Sequence, residues 1–285
     1  MLDSPLRYPG GKAKIANFLE RVLRENEIFD CEYVEPFAGG AGAALRLLSM
    51  EHARRIWIND LDPAIFCFWK SVLEHTDELC KLILNARLTL PEWRKQHEIF
   101  KQSDANETLL LGFATFYLNR TNRSGILTGS VIGGLDQTGS WLIDARFNKI
   151  VLVDRIKKIS EYKNRIKLTN IDANEMIKSM DSSKKRFVYL DPPYFKNGKR
   201  LYLNHYNKND HINLSNSLKD FSGKWVVTYD NAQEIKDLYT DYPITDFTLN
   251  YSASKARKGQ EILIPSPGLR VPYEYLPGYS EDDVA

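Results

Sequence analysis

Hydrophobic and polar positions along this chain follow two periods, and the changes from one to the other divide it. Residues 31–37 (CEYVEPF) are β-rich, a glycine turn follows at 38–42 (AGGAG), and residues 43–50 (AALRLLSM) carry an apolar face at helical spacing. Residues 55–59 (RIWIN) predict a second short strand ending at Asp60, and residues 63–74 resume a helical period. Strand, turn, helix and strand in that order predict a parallel α/β sheet. Residues 79–88, 91–102 and 106–118 then carry helical patterns with no strand signal between them, and Pro91 suits a first helical position. A stretch rich in Gly, Ser and Thr (121–140) and an amphipathic segment (147–162) come next. A loop as long as the former is usually functional or disordered.

The α/β rhythm returns at residue 165. Segments 165–170, 186–190 and 224–229 predict strands, and 173–180, 213–218 and 232–239 predict helices. Segments 244–251 and 261–264 predict two strands forming an antiparallel edge pair. We therefore expect a discontinuous α/β domain built from 1–65 and 165–270, interrupted by a mostly helical insertion at 66–164. The proline-rich, acidic end, 271–285, is expected to be mobile.

Composition narrows the class. At 285 residues, 43% hydrophobic and 27% charged, the chain is that of an ordinary globular protein, which excludes wholesale disorder. Cys31, Cys67 and Cys80 are too few and too scattered for a disulfide framework or a CxxC pair. The five histidines show no paired spacing, so no metal site is expected. The first residues, MLDSPLRYPGGK, lack the apolar core of a signal peptide. The longest apolar run, 109–118, falls short of the roughly 18 residues of a membrane span, so a cytoplasmic protein is expected.

Two segments carry candidate chemistry. In Glu35-Pro36-Phe37-Ala38-Gly39-Gly40-Ala41-Gly42, glycines between a strand and a helix let a ligand approach the backbone at the carboxyl end of the sheet. Asp60 stands 20 residues beyond Gly40, a spacing that suits hydrogen bonds to a ribose diol. Gly10-Gly11-Lys12 lacks the rest of a Walker A loop. The second segment, Asp191-Pro192-Pro193-Tyr194, directly follows a buried strand. Its prolines fix φ and leave carbonyls without intrasheet partners. A carboxylate and such a carbonyl can accept both hydrogens of an exocyclic amine while the tyrosine ring stacks on the heterocycle that bears it. The plainer reading is a proline-stiffened loop with a packed tyrosine.

EPFAGGAG and DPPY, in that order and separated by an insertion, resemble the Dam-like (D12 class) DNA adenine-N6 methyltransferases. Arg7-Tyr8-Pro9-Gly10-Gly11-Lys12 is similar to that family's N-terminal cofactor motif, and residues 116–125 (FYLNRTNRSG) to the start of its recognition loop. The resemblance runs from residue 4 to about 265. It implies a Rossmann-like methyltransferase sheet for 1–65 and 165–270 and a target-recognition role for 66–164. The implied cofactor is S-adenosyl-L-methionine, with Tyr8, Lys12, Glu35, Phe37, Gly39, Gly40, Gly42, Asp60, Asp172 and Asp191 around it. Asp60 would take the ribose and Asp172 the adenine. Asp191 and the Pro192 carbonyl, supported by Pro193, would hold the amine of a flipped adenine, with Tyr194 stacked on its ring. The implied partner is double-stranded DNA, met by Arg120, Asn122, Arg123 and Ser124 of the loop and by Lys196, Lys199 and Arg200 beyond DPPY. A cognate restriction endonuclease is a further candidate partner. The loop matches the GATC-specific members only at its beginning, so no target sequence carries over. Methylation of RNA adenine or of a protein amide, and a DNA-binding module without catalysis, are the competing readings.

The near-neutral total, 39 Lys and Arg against 37 Asp and Glu, conceals local excess. Residues 119–165 hold nine basic and four acidic residues, and 184–208 hold seven against Asp191 alone. Four acids beyond residue 273 offset them. Steering of a polyanion depends on such placement, not on the sum.

Overall fold

Successive strand residues fall into two different cores, which sets the architecture. Tyr33, Phe187, Tyr189, Val226 and Leu263 lie in one buried cluster, and their neighbours Val34, Val188, Leu190, Val227 and Ile264 lie in the other. That is the period-two division of a sheet covered on both faces. A computed structural model describes residues 1–7, 15–181, 185–195, 206–251 and 257–279.

The sheet has seven strands: β1 (Cys31–Glu35), β2 (Ala53–Asn59), β3 (Ile166–Thr169), β4 (Arg186–Leu190), β5 (Lys224–Asp230), β6 (Thr245–Tyr251) and β7 (Arg257–Pro265). Their order is β3-β2-β1-β4-β5-β7-β6. The first five run parallel, while β7 is antiparallel to both β5 and β6. This is the expected mixed sheet with its antiparallel edge hairpin. The order reverses between β1 and β4, so the carboxyl ends of these two strands flank the crevice where open α/β sheets bind ligands.

Helices α1 (Ile15–Glu25), α2 (Gly42–Ser49), α3 (Pro63–Glu74), α4 (Thr76–Asn85), α5 (Leu90–Gln102), α6 (Thr108–Thr121) and α7 (Lys149–Ser160) contribute to the first core. Helices α8 (Ala173–Lys178), α9 (Lys208–Asp220) and α10 (Gln233–Lys236) cover the second. Helix α1 is absent from the reading above, although Ile15, Phe18, Leu19, Val22 and Leu23 form a regular buried stripe. The expected boundary at 65/66 falls inside α3, which Asp62 caps and Pro63 opens. Helices α3 to α7 share their apolar cluster with α1, α2 and the sheet, so no separate core encloses the insertion.

The end of the chain departs from expectation as far as residue 279. Leu276 is buried, Tyr273 stacks on Tyr279, and the Tyr275 ring lies under the Arg21 guanidinium. The apolar residues scattered among the prolines give this segment a hold on the first core that its composition does not advertise. No helix among the described residues is long and apolar enough to cross a membrane, and no cluster of His, Cys, Asp and Glu among them could hold a metal ion.

Candidate active site

The glycine turn is built by contacts reaching it from three directions. Gly39 and Ala41 both take left-handed backbone conformations (φ 47° and 48°), which lets the chain reverse sharply between β1 and α2. The Ala38 N–H donates to the Asn59 carbonyl (2.8 Å), the Gly39 N–H to Asp60 Oδ2 (2.8 Å), and Trp69 Nε1 to the Gly39 carbonyl (2.8 Å). Beneath the turn, Glu35 is buried, and its Oε1 accepts from the Tyr33 hydroxyl and the Ala44 N–H, both at 3.0 Å. A carboxylate there complements the partial positive charge of the first turn of α2.

Asn59, one residue before Asp60, locks the carboxyl ends of three strands together. Its amide donates to the Pro36 and Ile171 carbonyls (3.0 and 2.9 Å) and its Oδ1 accepts from the Thr169 hydroxyl and the Ile171 N–H (2.8 and 3.1 Å). The sequence reading missed it, because its partners lie 23 and 112 positions away. Asp60 itself accepts from Gly39 and Asp62 through different oxygens, and Asp172 caps α8 by accepting from Asn174 and Glu175. An ionised carboxylate has about four acceptor positions. Asp172, which makes both contacts through one oxygen, therefore retains capacity for the exocyclic amine of a nucleoside.

A half-buried tyrosine completes this side of the site. Tyr206 packs edge-on to Phe37 of the glycine turn (5.5 Å between centroids) and to His211 (5.4 Å). Its hydroxyl is buried and has no hydrogen-bond partner among the described residues. Burial raises its pKa, and the charges of Asp172, Asp210 and Asp60 raise it further, which places those acids within its electrostatic reach. A hydroxyl donor near two carboxylates is chemistry that a nucleoside cofactor could use. Burial depresses the pKa of His211, against the opposing pull of Asp230 and Asp210. Its Nδ1 lies 3.1 Å from the Tyr229 hydroxyl.

On the other side of the crevice, Asp191-Pro192-Pro193-Tyr194 leaves β4 and is held from β5 and β7. The Thr228 hydroxyl donates to Asp191 Oδ1 (3.3 Å), so the Tyr189 hydroxyl, 2.9 Å from Thr228 Oγ1, is the donor to it. The Tyr194 hydroxyl donates to Glu261 Oε1 (2.7 Å), and the Phe195 N–H to Asp230 Oδ1 (2.8 Å). Thr228, Glu261 and Asp230 are all buried, and no local motif marks them. Asp191 and Tyr194 are half-buried, a carboxylate and a ring at the carboxyl edge of the sheet.

The expected DNA contacts divide. Arg120 and Asn122 belong to the buried end of α6. Arg120 Nε donates to the Pro5 carbonyl (2.7 Å). The Asn122 amide donates to the Ile126 and Leu127 carbonyls while its Oδ1 accepts from Trp93 Nε1. Both frame the loop from inside. A polar side chain suggests the surface in sequence, but here loop carbonyls need internal donors. Arg123 is exposed, and Ser124 is half-buried with φ 57°. Gln137 holds the rest of the loop by donating to the Ile132 and Gly134 carbonyls and accepting from the Ile143 N–H. The long loop, whose length suggests either function or disorder, is thus tied internally. Tyr8, Lys12, Lys196, Lys199 and Arg200 lie outside the described residues.

Known proteins resemble this chain along most of its length. A methyltransferase of Methanocaldococcus jannaschii, type II M.MjaIII, is 24% identical over 223 residues, covering 72% of this chain and 73% of its own. Type II methyltransferase M.CviBI of Paramecium bursaria Chlorella virus NC1A is 26% identical over 279 residues, covering 90% and 95%. The crystal structure of TrmN from Thermus thermophilus aligns with a TM-score of 0.39 at 9% identity, covering 88% of this chain and 48% of that one. The family model for D12 class N6 adenine-specific DNA methyltransferases matches residues 8–253. That span takes in both crevice walls and the helices between them, and the chain belongs to this family, whose members transfer a methyl group from S-adenosyl-L-methionine to adenine N6 at specific sites in DNA.

Proposed function

We propose that the crevice between β1 and β4 methylates an adenine that has been turned out of the duplex. The observation that carries this reading is the anchoring of DPPY: Asp191 fixed through Thr228 and Tyr194 through Glu261. Two groups held by neighbouring strands keep their positions while the substrate arrives, the preorganisation that positional catalysis needs. Unstacking the base costs a few kcal/mol. Stacking on Tyr194 and hydrogen bonds from N6 to the Asp191 carboxylate and the Pro192 carbonyl offset that cost. These two acceptors draw the amine toward tetrahedral geometry and free its lone pair.

Asp60, Asp172 and the turn at Phe37, Gly39, Gly40 and Gly42 would hold S-adenosyl-L-methionine, with Tyr8 and Lys12 of the N-terminal motif. Glu35 supports that turn from below. Once bound, the cofactor would supply a sulfonium methyl with a neutral thioether as leaving group, and the N6 amine held by Asp191 and the Pro192 carbonyl would lose one proton after methylation. Residues 66–164 would serve target recognition, with Arg123 and Ser124 meeting DNA from the loop and Lys196, Lys199 and Arg200 meeting it from beyond DPPY. The type II names of the relatives suggest a cognate restriction endonuclease as partner. A DNA substrate is consistent with a cytoplasmic enzyme.

Fluorescence tests the flipping step. With 2-aminopurine in place of the target adenine, binding of wild-type protein is expected to change the emission strongly. Asp191→Ala should retain its fold by circular dichroism and lose methyl transfer. Full activity in Asp191→Ala would remove the assignment of that carboxylate.

A further inference from the structure

Four arginines converge on the segment that leads from the N-terminus to the family's cofactor motif, and they are under-neutralised. Arg120 of α6 donates to the Pro5 carbonyl (2.7 Å), and Arg155 of α7 donates to the Ser4 carbonyl (3.2 Å). Arg7 is clasped by Asn119, which accepts from its N–H (2.7 Å) and donates to its carbonyl (2.8 Å). The Arg7 side chain donates to the Asn122 carbonyl (3.2 Å). Arg146, whose guanidinium lies 5.8 Å from the Trp141 ring centroid, is near enough to Arg7 and Arg120 for its charge to act on both.

Among the described residues, one carboxylate forms an ion pair with this cluster, Asp3, at 3.8 Å from Arg155 and itself mostly exposed. Burial, followed by the charges of Arg155, Arg7 and Arg146, pulls the Arg120 guanidinium down to about 9. Burial and Arg146 lower Arg7 as well. Grouping like charges and burying one of them works against folding unless an anion joins them. The cluster is open to such an anion, because Arg146 is exposed and Arg7 and Arg155 are half-buried.

We propose that Arg7, Arg120, Arg146 and Arg155 form a binding site for a backbone phosphate of duplex DNA. Arg120 supplies charge from within, and the other three present donors at the surface. Guanidinium groups suit this ligand because their planar donor pairs match phosphate oxygens. The site carries no sequence information and fixes the register of the duplex against the recognition insertion. Its backbone ties place that phosphate at the base of residues 4–7, the lead-in to the cofactor motif. The inference rests on the DNA-methyltransferase reading and adds a site to it.

The test is the salt dependence of DNA binding by the full-length protein, in wild type and in Arg146→Gln, whose side chain makes no hydrogen bond that the fold needs among the described residues. A second variant, Arg155→Gln, tests the helix α7 side. Each lost phosphate contact is expected to reduce the slope of log affinity against log salt by about 0.9, equally on duplexes of unrelated sequence. The melting temperature of Arg146→Gln should hold or rise, since a like charge is removed. An unchanged slope in both variants, or a loss confined to one target sequence, would overturn the proposal. Wild-type protein that binds duplex DNA with the expected slope but methylates none of it would instead overturn the reading beneath it.

Discussion

Tyr194 illustrates how much of the site a residue-level reading reaches. Its identity and place in DPPY are visible in the sequence, but the partner that aims it, Glu261, lies 67 positions on, in a strand on the far side of β5. The same holds for Thr228 against Asp191 and for Asn59 beneath the glycine turn. The groups placed by resemblance form contiguous motifs, whereas the buried groups that orient them come from elsewhere in the chain and carry no local signature. Arg120 and Asn122 carry a different lesson, since a polar residue type does not disclose that its partners are internal carbonyls. If Glu261 aims the ring, Tyr194→Phe should keep base stacking and lose its anchor. Removing that hydrogen bond should cost about 1–3 kcal/mol of stability, read from urea unfolding. Methyl transfer should fall while the 2-aminopurine signal persists, and Tyr194→Ala should lose both. Equal activity in Tyr194→Phe and wild type would show that the anchor does not matter.

At the level of elements, the periods predicted the strands and most helices because each element buries a face of its own. Helix α6 is less regular: from Leu111 to Thr121 every residue is buried, since α3 lies on one side of it and α5 on another. An all-round buried helix has no polar face for a period to reveal. Its approach to α3 depends on Gly112, where an added Cβ would lie 2.4 Å from Ser71 Oγ and 2.6 Å from the Cys67 carbonyl oxygen. The backbone contact leaves no room for the methyl group to be absorbed by a rotamer change. Gly112→Ala should therefore force α3 and α6 apart and destabilise the protein by about 1–3 kcal/mol, although alanine is the better helix former. Because Trp69 of α3 holds the Gly39 carbonyl, the same variant should weaken cofactor binding, which calorimetry would read. A stabilised variant would contradict this account of the packing.

Across the whole molecule, the sheet and its mixed edge were legible from the order of strand and helix signals, whereas the relation of the insertion to the sheet was not. Periodicity shows that a helix has an apolar face and leaves open which neighbour covers it. Here helices α3 to α7 close over the same core as α1 and α2, so the helices of the insertion and the glycine turn share one packed body. The net charge of +2 concealed the arginines gathered at the end of α6 for a similar reason, as they come from positions 7, 120, 146 and 155. The central claim is that this body transfers a methyl group to adenine N6 in DNA. It is tested most directly by incubating the protein with methyl-labelled S-adenosyl-L-methionine and a mixture of duplex DNA, RNA and protein, then digesting each and identifying the labelled residue. The account predicts label in N6-methyladenine from the duplex alone, confined to one sequence context. Label in cytosine, in RNA or in a protein amide, with none in duplex adenine, would contradict it.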